Sequence, residues 1–153
     1  EYNFVHLDLK LENFIINSKN QVKLIDFGTT HSYYVNEVKL NTIIGTRGYS
    51  APEIYRSAYH FSSDIWSLGI CIWMILFKKH CFNHDNIKRN YTLQNFPYEE
   101  FQYPSLQHKE IMKNANKKTK LFFEMIFQLF PYDRCSLEYL NFFDLTSFIR
   151  DAK

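Results

Sequence analysis

Over residues 64–77 the chain has almost no polar face: Ile65, Trp66, Leu68, Ile70, Cys71, Ile72, Trp73, Met74, Ile75, Leu76 and Phe77 crowd one stretch. A helix that is apolar all round is buried all round. The segment therefore predicts a central helix about which everything else must pack. It is too short for a membrane span, which takes about 20 apolar residues to cross ~30 Å of hydrocarbon. It opens on Asp64, at the end where the helix dipole favours a carboxylate, and Ser62 or Ser63 can cap it. A chain of 153 residues is long enough to bury a core around such a helix as one domain.

The composition, 46% hydrophobic and 22% charged, excludes a disordered chain. A formal net charge of +2 is too small to argue for nucleic acid as a partner. Cys71, Cys81 and Cys135 have neither metal nor redox spacing, which suits reduced thiols in a cytoplasmic protein. A signal peptide is not expected, since the charged start runs straight into the first motif. His80, Cys81 and His84 supply half a metal site at most, so a surface loop is expected there. His31, His60 and His108 sit in polar stretches and are expected to be solvated. The basic run 113–120 is read as a solvated face.

Chemistry concentrates near the start, in His6-Leu7-Asp8-Leu9-Lys10-Leu11-Glu12-Asn13 and Asp26-Phe27-Gly28. Between them lie two apolar runs, 14–16 and 22–25, parted by the polar turn Asn17-Ser18-Lys19-Asn20. That pattern predicts a β-hairpin with one motif entering it and one leaving it. Its ends must lie together, so Asp8, Lys10, Asn13 and Asp26 are expected at one site. Two acids, an amide and a cation suit a magnesium-bound phosphate.

His-x-Asp-Leu-Lys-x-x-Asn followed by Asp-Phe-Gly resembles the catalytic loop and metal-binding turn of eukaryotic protein kinases. Ala51-Pro52-Glu53 stands where that family closes its activation segment, here residues 26–53. Asp64-Ile65-Trp66-Ser67-Leu68-Gly69 is similar to its buried central helix, and Pro131-Tyr132-Asp133-Arg134 to its late arginine element. Five elements in order make a specific match, whereas any one alone would be weak.

The resemblance implies roles. Asp8 would be the catalytic base, and Lys10 would neutralise charge on the transferred phosphate and touch the cofactor ATP. Asn13 and Asp26 would hold Mg2+, and Ile15 would lie under the adenine. Glu12 could attract a basic residue of the substrate. Thr46 would hydrogen-bond toward Asp8 and shape the floor beside the target hydroxyl. His6 and Phe27 would pack the two motifs in register, and Gly28 would let the chain turn after the metal ligand. Glu53 would pair with Arg134, and Asp64 would brace the catalytic loop through backbone N–H groups. Lys10 and Gly45-Thr46 resemble serine/threonine rather than tyrosine kinases. Met74 stands where basophilic relatives carry a second acid, which weakens a basic preference. Leu7 replaces the arginine that pairs with an activation-loop phosphate, so activity is expected not to depend on phosphorylation of Thr42. Leu11 stands where proline is commoner.

The fold expected is mainly α, a kinase-like C-terminal lobe over residues 1–153 with a short β-hairpin and the N-terminal lobe absent. The partners implied are ATP, a Ser/Thr-bearing protein substrate and the missing lobe in the same longer chain, with no nucleic acid and no membrane span. The function implied is ATP-dependent phosphorylation by the intact protein, with this fragment inactive alone. The alternative is a truncated pseudokinase serving as a scaffold. A magnesium-dependent phosphohydrolase would also use two acids but leaves Ala-Pro-Glu unexplained.

Further expectations are local. Residues 1–5 read as the tail of a helix, 29–50 as a long functional connection, and 52–59 as a short helix with Ser50 as its cap. Residues 78–118 read as loops with one short helix. Leu121, Phe122, Met125, Ile126 and Leu129 mark an amphipathic helix over 119–130, ended by Pro131. A last helix over 136–149 would turn Leu137, Leu140, Phe143 and Ile149 inward.

Overall fold

The computed structural model describes residues 4–32, 43–56, 58–82, 101–141 and 143. Two small antiparallel strand pairs sit beside a set of helices. The first pair joins β1 (Phe4–Val5) to β4 (His31–Ser32), with Val5 opposite His31. The second is the expected hairpin, β2 (Phe14–Ile16) with β3 (Val22–Leu24), in the register Phe14 opposite Leu24 and Ile16 opposite Val22. Its turn is held by Asn17, whose side-chain oxygen accepts the N–H groups of Lys19 and Gln21, both at 2.9 Å. Asn20 takes the left-handed conformation (φ 58°) that asparagine tolerates. Phe4 and Val5 are thus strand and not the helix tail expected; their partner lies far along the chain, out of reach of local pattern.

The central helix α1 runs Phe61–Phe77, three residues earlier than its apolar pattern. Its cap is His60 rather than a serine: the imidazole Nδ1 accepts the Ser62 N–H at 3.3 Å, while Ser63 Oγ accepts the His60 N–H at 3.0 Å. Ser62 instead donates to the Pro131 carbonyl at 2.7 Å. Trp66, Ile70, Cys71 and Trp73 are buried as expected, but Ile75 is 52% exposed. The helix is therefore not covered on every side. Strand β1, the turn at Pro131 and helix α3 (Lys117–Ile126) pack against it, and among the described residues the Ile75 side stays open.

Aromatic rings fill the space around α1. Trp66 stacks on Phe82 at 5.2 Å between centroids, and Trp73 meets Phe123 edge-on at 5.0 Å. Gly69 lets α3 approach, since a Cβ there would overlap Ile126 and lie 3.0 Å from the Phe127 ring. Within α3, Phe122, Phe123 and Ile126 turn inward while Leu121 is exposed, so the buried stripe is rotated from the expected one. The helix stops at Ile126, before Pro131, which opens a short 3-10 turn, Pro131–Asp133.

Helix α2 (Leu106–Ile111) is capped by Ser105, and α4 (Leu137–Leu140) by Ser136. Leu140 is buried and Phe143 packs on Phe122, but Leu137 is 59% exposed, contrary to expectation. Ile149 lies outside the described residues. Residues 52–59 contain a 3-10 turn, Pro52–Arg56, and Ser50 donates to the Thr46 carbonyl at 3.1 Å instead of capping a helix. His108 is buried, not solvated, and its Nε2 meets the Cys81 carbonyl at 2.7 Å. Among the described residues no helix is long and apolar enough to cross a membrane.

Candidate active site

The loop from His6 to Asn13 hangs from α1. Asp64, in the first turn of that helix, accepts the backbone N–H of His6 at 2.7 Å and of Leu7 at 2.9 Å. Burial raises the Asp64 carboxyl pKa above the usual carboxylate range, and these two hydrogen bonds counter part of the shift. Leu7 is held at φ 66°, a left-handed backbone that costs a side-chain-bearing residue roughly 1–2 kcal/mol. Its buried side chain and the Asp64 anchor hold it there.

His6 ties the loop to the hairpin. Its Nδ1 accepts the Asp8 N–H at 3.3 Å, which leaves Nε2–H to donate to the Ile25 carbonyl at 3.3 Å. The ring meets Phe27 edge-on at 5.2 Å, and Thr29 donates to the His6 carbonyl at 2.8 Å. The loop then ends in a 3-10 turn, Leu11–Asn13, that feeds directly into β2.

Around Asp8 the contacts converge. Lys10 Nζ donates to Asp8 Oδ2 and to Thr46 Oγ1, each at 2.8 Å. Asn13 Nδ2 donates to the Asp8 carbonyl at 2.8 Å and approaches Oδ2 at 3.4 Å. Asp8 Oδ1 is buried and has no hydrogen-bond partner. Burial pushes the Asp8 carboxyl up, but the hydrogen bond and charge of Lys10, with the nearby Thr46, outweigh it and hold the group below its ordinary value. The hydrogen bond to Asp8 in turn raises Lys10, against some loss of hydration.

Asp26 follows directly on Ile25, whose N–H donates to the Asn13 carbonyl at 2.9 Å. The hairpin thus brings the two motifs side by side, and the Asp26 charge is felt at Lys10. Asp26 is exposed, and its carboxylate accepts the Gly28 N–H at 3.4 Å. The left-handed residue in this turn is Asp26 itself (φ 62°), so Gly28 does not supply the conformational freedom expected of it. A Cβ on Gly28 would instead sit 3.3 Å from Asp26 Oδ1.

Both described hydrogen bonds of the Asn13 side chain leave from its nitrogen, so neither uses its amide oxygen; that oxygen and the Asp26 carboxylate are hard donors of the kind magnesium takes. Ile15 and Phe27 are 45% and 61% exposed beside them. Glu12 is exposed and accepts the Tyr49 hydroxyl at 3.5 Å. Thr42 and His84 lie outside the described residues, and among those described no three His, Cys, Asp or Glu side chains cluster as a metal site.

Away from Asp8, Arg134 grips Glu53 with two bonds, NH1 to Oε1 at 2.6 Å and NH2 to Oε2 at 2.7 Å, and both residues are buried. Ser63 Oγ adds a third contact to Glu53 Oε1 at 2.6 Å. By its position in the sequence Ser63 is only a candidate helix cap. Nothing local signals its second contact, because Glu53 reaches it from another element.

Residues 1–142 match the protein kinase domain family. The serine/threonine-protein kinase SKM1 of Saccharomyces cerevisiae is 33% identical over 145 residues, covering 94% of this chain and 21% of that protein. PLK4 of Xenopus laevis is 32% identical over 140 residues, 89% of this chain and 14% of that one. The serine/threonine-protein kinase dkf-2 of Caenorhabditis briggsae is 38% identical over 117 residues, 74% of this chain and 9% of that one. The chain therefore spans less than a quarter of the length of these relatives. With a carboxylate, a lysine and an asparagine bonded together at the foot of α1, and with residues 1–142 matching that family's model, the chain belongs to the protein kinase domain family.

Proposed function

We propose that this chain carries the phosphoryl-transfer centre of a serine/threonine protein kinase that works within a longer chain. The family as a whole uses ATP and Mg2+ and acts on proteins. The observation that carries the reading is the Asp8 carboxylate: one oxygen is held by Lys10, and the other is buried and unpartnered. An oxygen in that state suits a substrate hydroxyl. Because its pKa is depressed, Asp8 is a weak resting base. Its first task is to orient the serine or threonine hydroxyl, and it takes the proton as the oxygen loses it.

Lys10 faces the charge that grows on the transferred group and is kept protonated by Asp8. Thr46 holds the Lys10 ammonium from the other side. Asn13 and Asp26 would hold the metal. When bound, that metal neutralises charge on the phosphate oxygens. Ile15 offers an apolar surface for the adenine, and Glu12 a carboxylate for a basic residue near the target hydroxyl.

The apolar surface around this centre supports the need for a longer chain. Ile15, Ile16, Val22 and Phe27 are exposed together on the hairpin and the turn after it. Ile15 lies on one side of the hairpin and the Ile16–Val22 pair on the other, and apolar surface left open on both sides calls for a cover. Residues 1–153 by themselves are expected to transfer no measurable phosphate. The test is magnesium-dependent phosphate transfer from ATP to a protein by the full-length enzyme. Asp8→Asn is expected to lower kcat on the order of 10²–10⁴-fold without changing the unfolding midpoint by more than a few degrees. A full-length Asp8→Asn enzyme within a few-fold of the original would refute the assignment. A full-length protein inert toward every substrate with Mg2+ and ATP would favour the scaffold reading.

A further inference from the structure

Gly45 sits where the segment leading to Ala51 crosses the catalytic loop. Its φ is 91°, and a Cβ built on it would overlap the Leu7 carbonyl oxygen and lie 3.1 Å from Ser50 Oγ. Leu7 cannot move aside easily. Its backbone is left-handed, its N–H is bonded to Asp64 and its side chain is buried. Ser50 is pinned as well, because its N–H and its hydroxyl both donate to the Thr46 carbonyl, at 3.2 and 3.1 Å. The Tyr49 N–H donates to the same carbonyl at 3.1 Å. Thr46 is thus the hub of a small closed turn that rests on the Leu7 carbonyl through the bare α-carbon of Gly45.

The next residue, Thr46, places Oγ1 2.8 Å from Lys10 Nζ. That ammonium is shared with Asp8 Oδ2 at the same distance. We propose that Gly45 is a positioning residue for phosphoryl transfer: the missing side chain sets the distance between two backbones, and that distance lets Thr46 hold the Lys10 ammonium against Asp8. This inference rests on the kinase reading above. Any side chain at position 45 must push the turn away from Leu7, because the obstacle is a backbone oxygen on an anchored loop and not the end of a flexible side chain. A displacement of even 1 Å removes Thr46 from hydrogen-bond range of Lys10. Lys10 would then swing free of its second partner, and the transferred group would lose a cation of defined position.

A double-mutant cycle in the full-length kinase tests this, reading kcat and KM for ATP and for a protein substrate. Gly45→Ala and Thr46→Ala are each expected to lower kcat on the order of tenfold with KM for ATP little changed. The double variant should be no worse than either single, since both remove the same contact. Thr46→Ser should keep most of the activity. Additive losses in the cycle, or a Gly45→Ala enzyme with unchanged kcat, would overturn the inference. Gly45→Asn is the second variant, because asparagine accepts left-handed backbone more readily but carries the same Cβ. If neither variant folds, Gly45 is a folding residue and the assignment fails. A crystal structure of the Gly45→Ala domain gives a readout without activity. Thr46 Oγ1 is expected beyond 3.5 Å from Lys10 Nζ, and an intact contact there would overturn the proposal even if the kinase reading stands. If the unsubstituted full-length enzyme is itself inert while the Gly45→Ala structure still loses that contact, the kinase reading fails instead.

Discussion

The pair between Glu53 and Arg134 should respond very differently to removal of its two ends. Arg134 has many partners besides the carboxylate. Its NH1 donates to the Ser62 carbonyl at 3.0 Å, its Nε to the Gln128 carbonyl at 2.8 Å and its NH2 to the Leu129 carbonyl at 3.3 Å. The guanidinium also lies over Trp66, 5.0 Å from the ring centroid. Among the bonds described, the Glu53 carboxylate has only Ser63 besides the arginine. Arg134→Met therefore leaves a buried carboxylate held by one hydroxyl and strips a donor from three carbonyls. The expected loss is about 3–5 kcal/mol, the range for breaking a buried pair from one side. Glu53→Gln leaves a neutral amide that still accepts from Ser63 and from one arm of Arg134, and the three carbonyls keep their donor. Its expected loss is about 1–3 kcal/mol, the cost of degraded buried hydrogen bonds. For a domain of this size, about 2–4 °C of melting temperature per kcal/mol puts the Arg134→Met midpoint roughly 6–20 °C lower. Urea unfolding of the folded domain, followed by tryptophan fluorescence, gives both values if the m-value is unchanged. Glu53→Gln costing as much as Arg134→Met, or both costing less than about 1 kcal/mol, would refute the reasoning.

Other perturbations follow from single contacts. Gly69→Ala should destabilise by roughly 1–3 kcal/mol through overpacking against Ile126 and Phe127; a denaturation midpoint equal to that of the original chain would count against this α1–α3 contact. Asp64→Asn keeps one acceptor for the two N–H groups of His6 and Leu7, so a stability loss of about 1–3 kcal/mol and a slower kinase are expected, measured by urea unfolding and phosphate transfer. His108 is pushed below its ordinary pKa of 6.5 by burial, against a hydrogen bond to the Cys81 carbonyl that acts the other way. The neutral ring is favoured in the folded state, so its contribution is present above pH 6.5 and is lost as pH falls through the lower folded value. Unfolding free energy measured from pH 8 to 5 should decline on the acid side, and His108→Gln should flatten that decline.

Much of the site was legible in the residues because its chemistry is local. Asp8, Lys10 and Asn13 lie within six positions, and a hairpin that closes on Asn17 carries Asp26 back to them. The apolar run after Asp64 likewise announced a central helix. Gly28 and Leu7 were harder to read. A left-handed backbone is decided by what surrounds it, and here it falls on Leu7, and on Asp26 rather than on Gly28.

The motifs, their order and the amphipathic stripes follow from sequence alone, since side-chain type and local spacing settle which residues can share a turn or a face. Which faces are covered does not follow. Ile75, Leu121 and Leu137 are as apolar as their neighbours and remain exposed, while His108 is buried by Trp73, Phe82 and Tyr103 from three other segments. Only the tertiary structure pairs Val5 with His31, gives Ser63 to Glu53, and rests Gly45 on the Leu7 carbonyl. Those contacts join residues distant in the chain, and burial depends on the neighbour that arrives, not on the residue that waits for it.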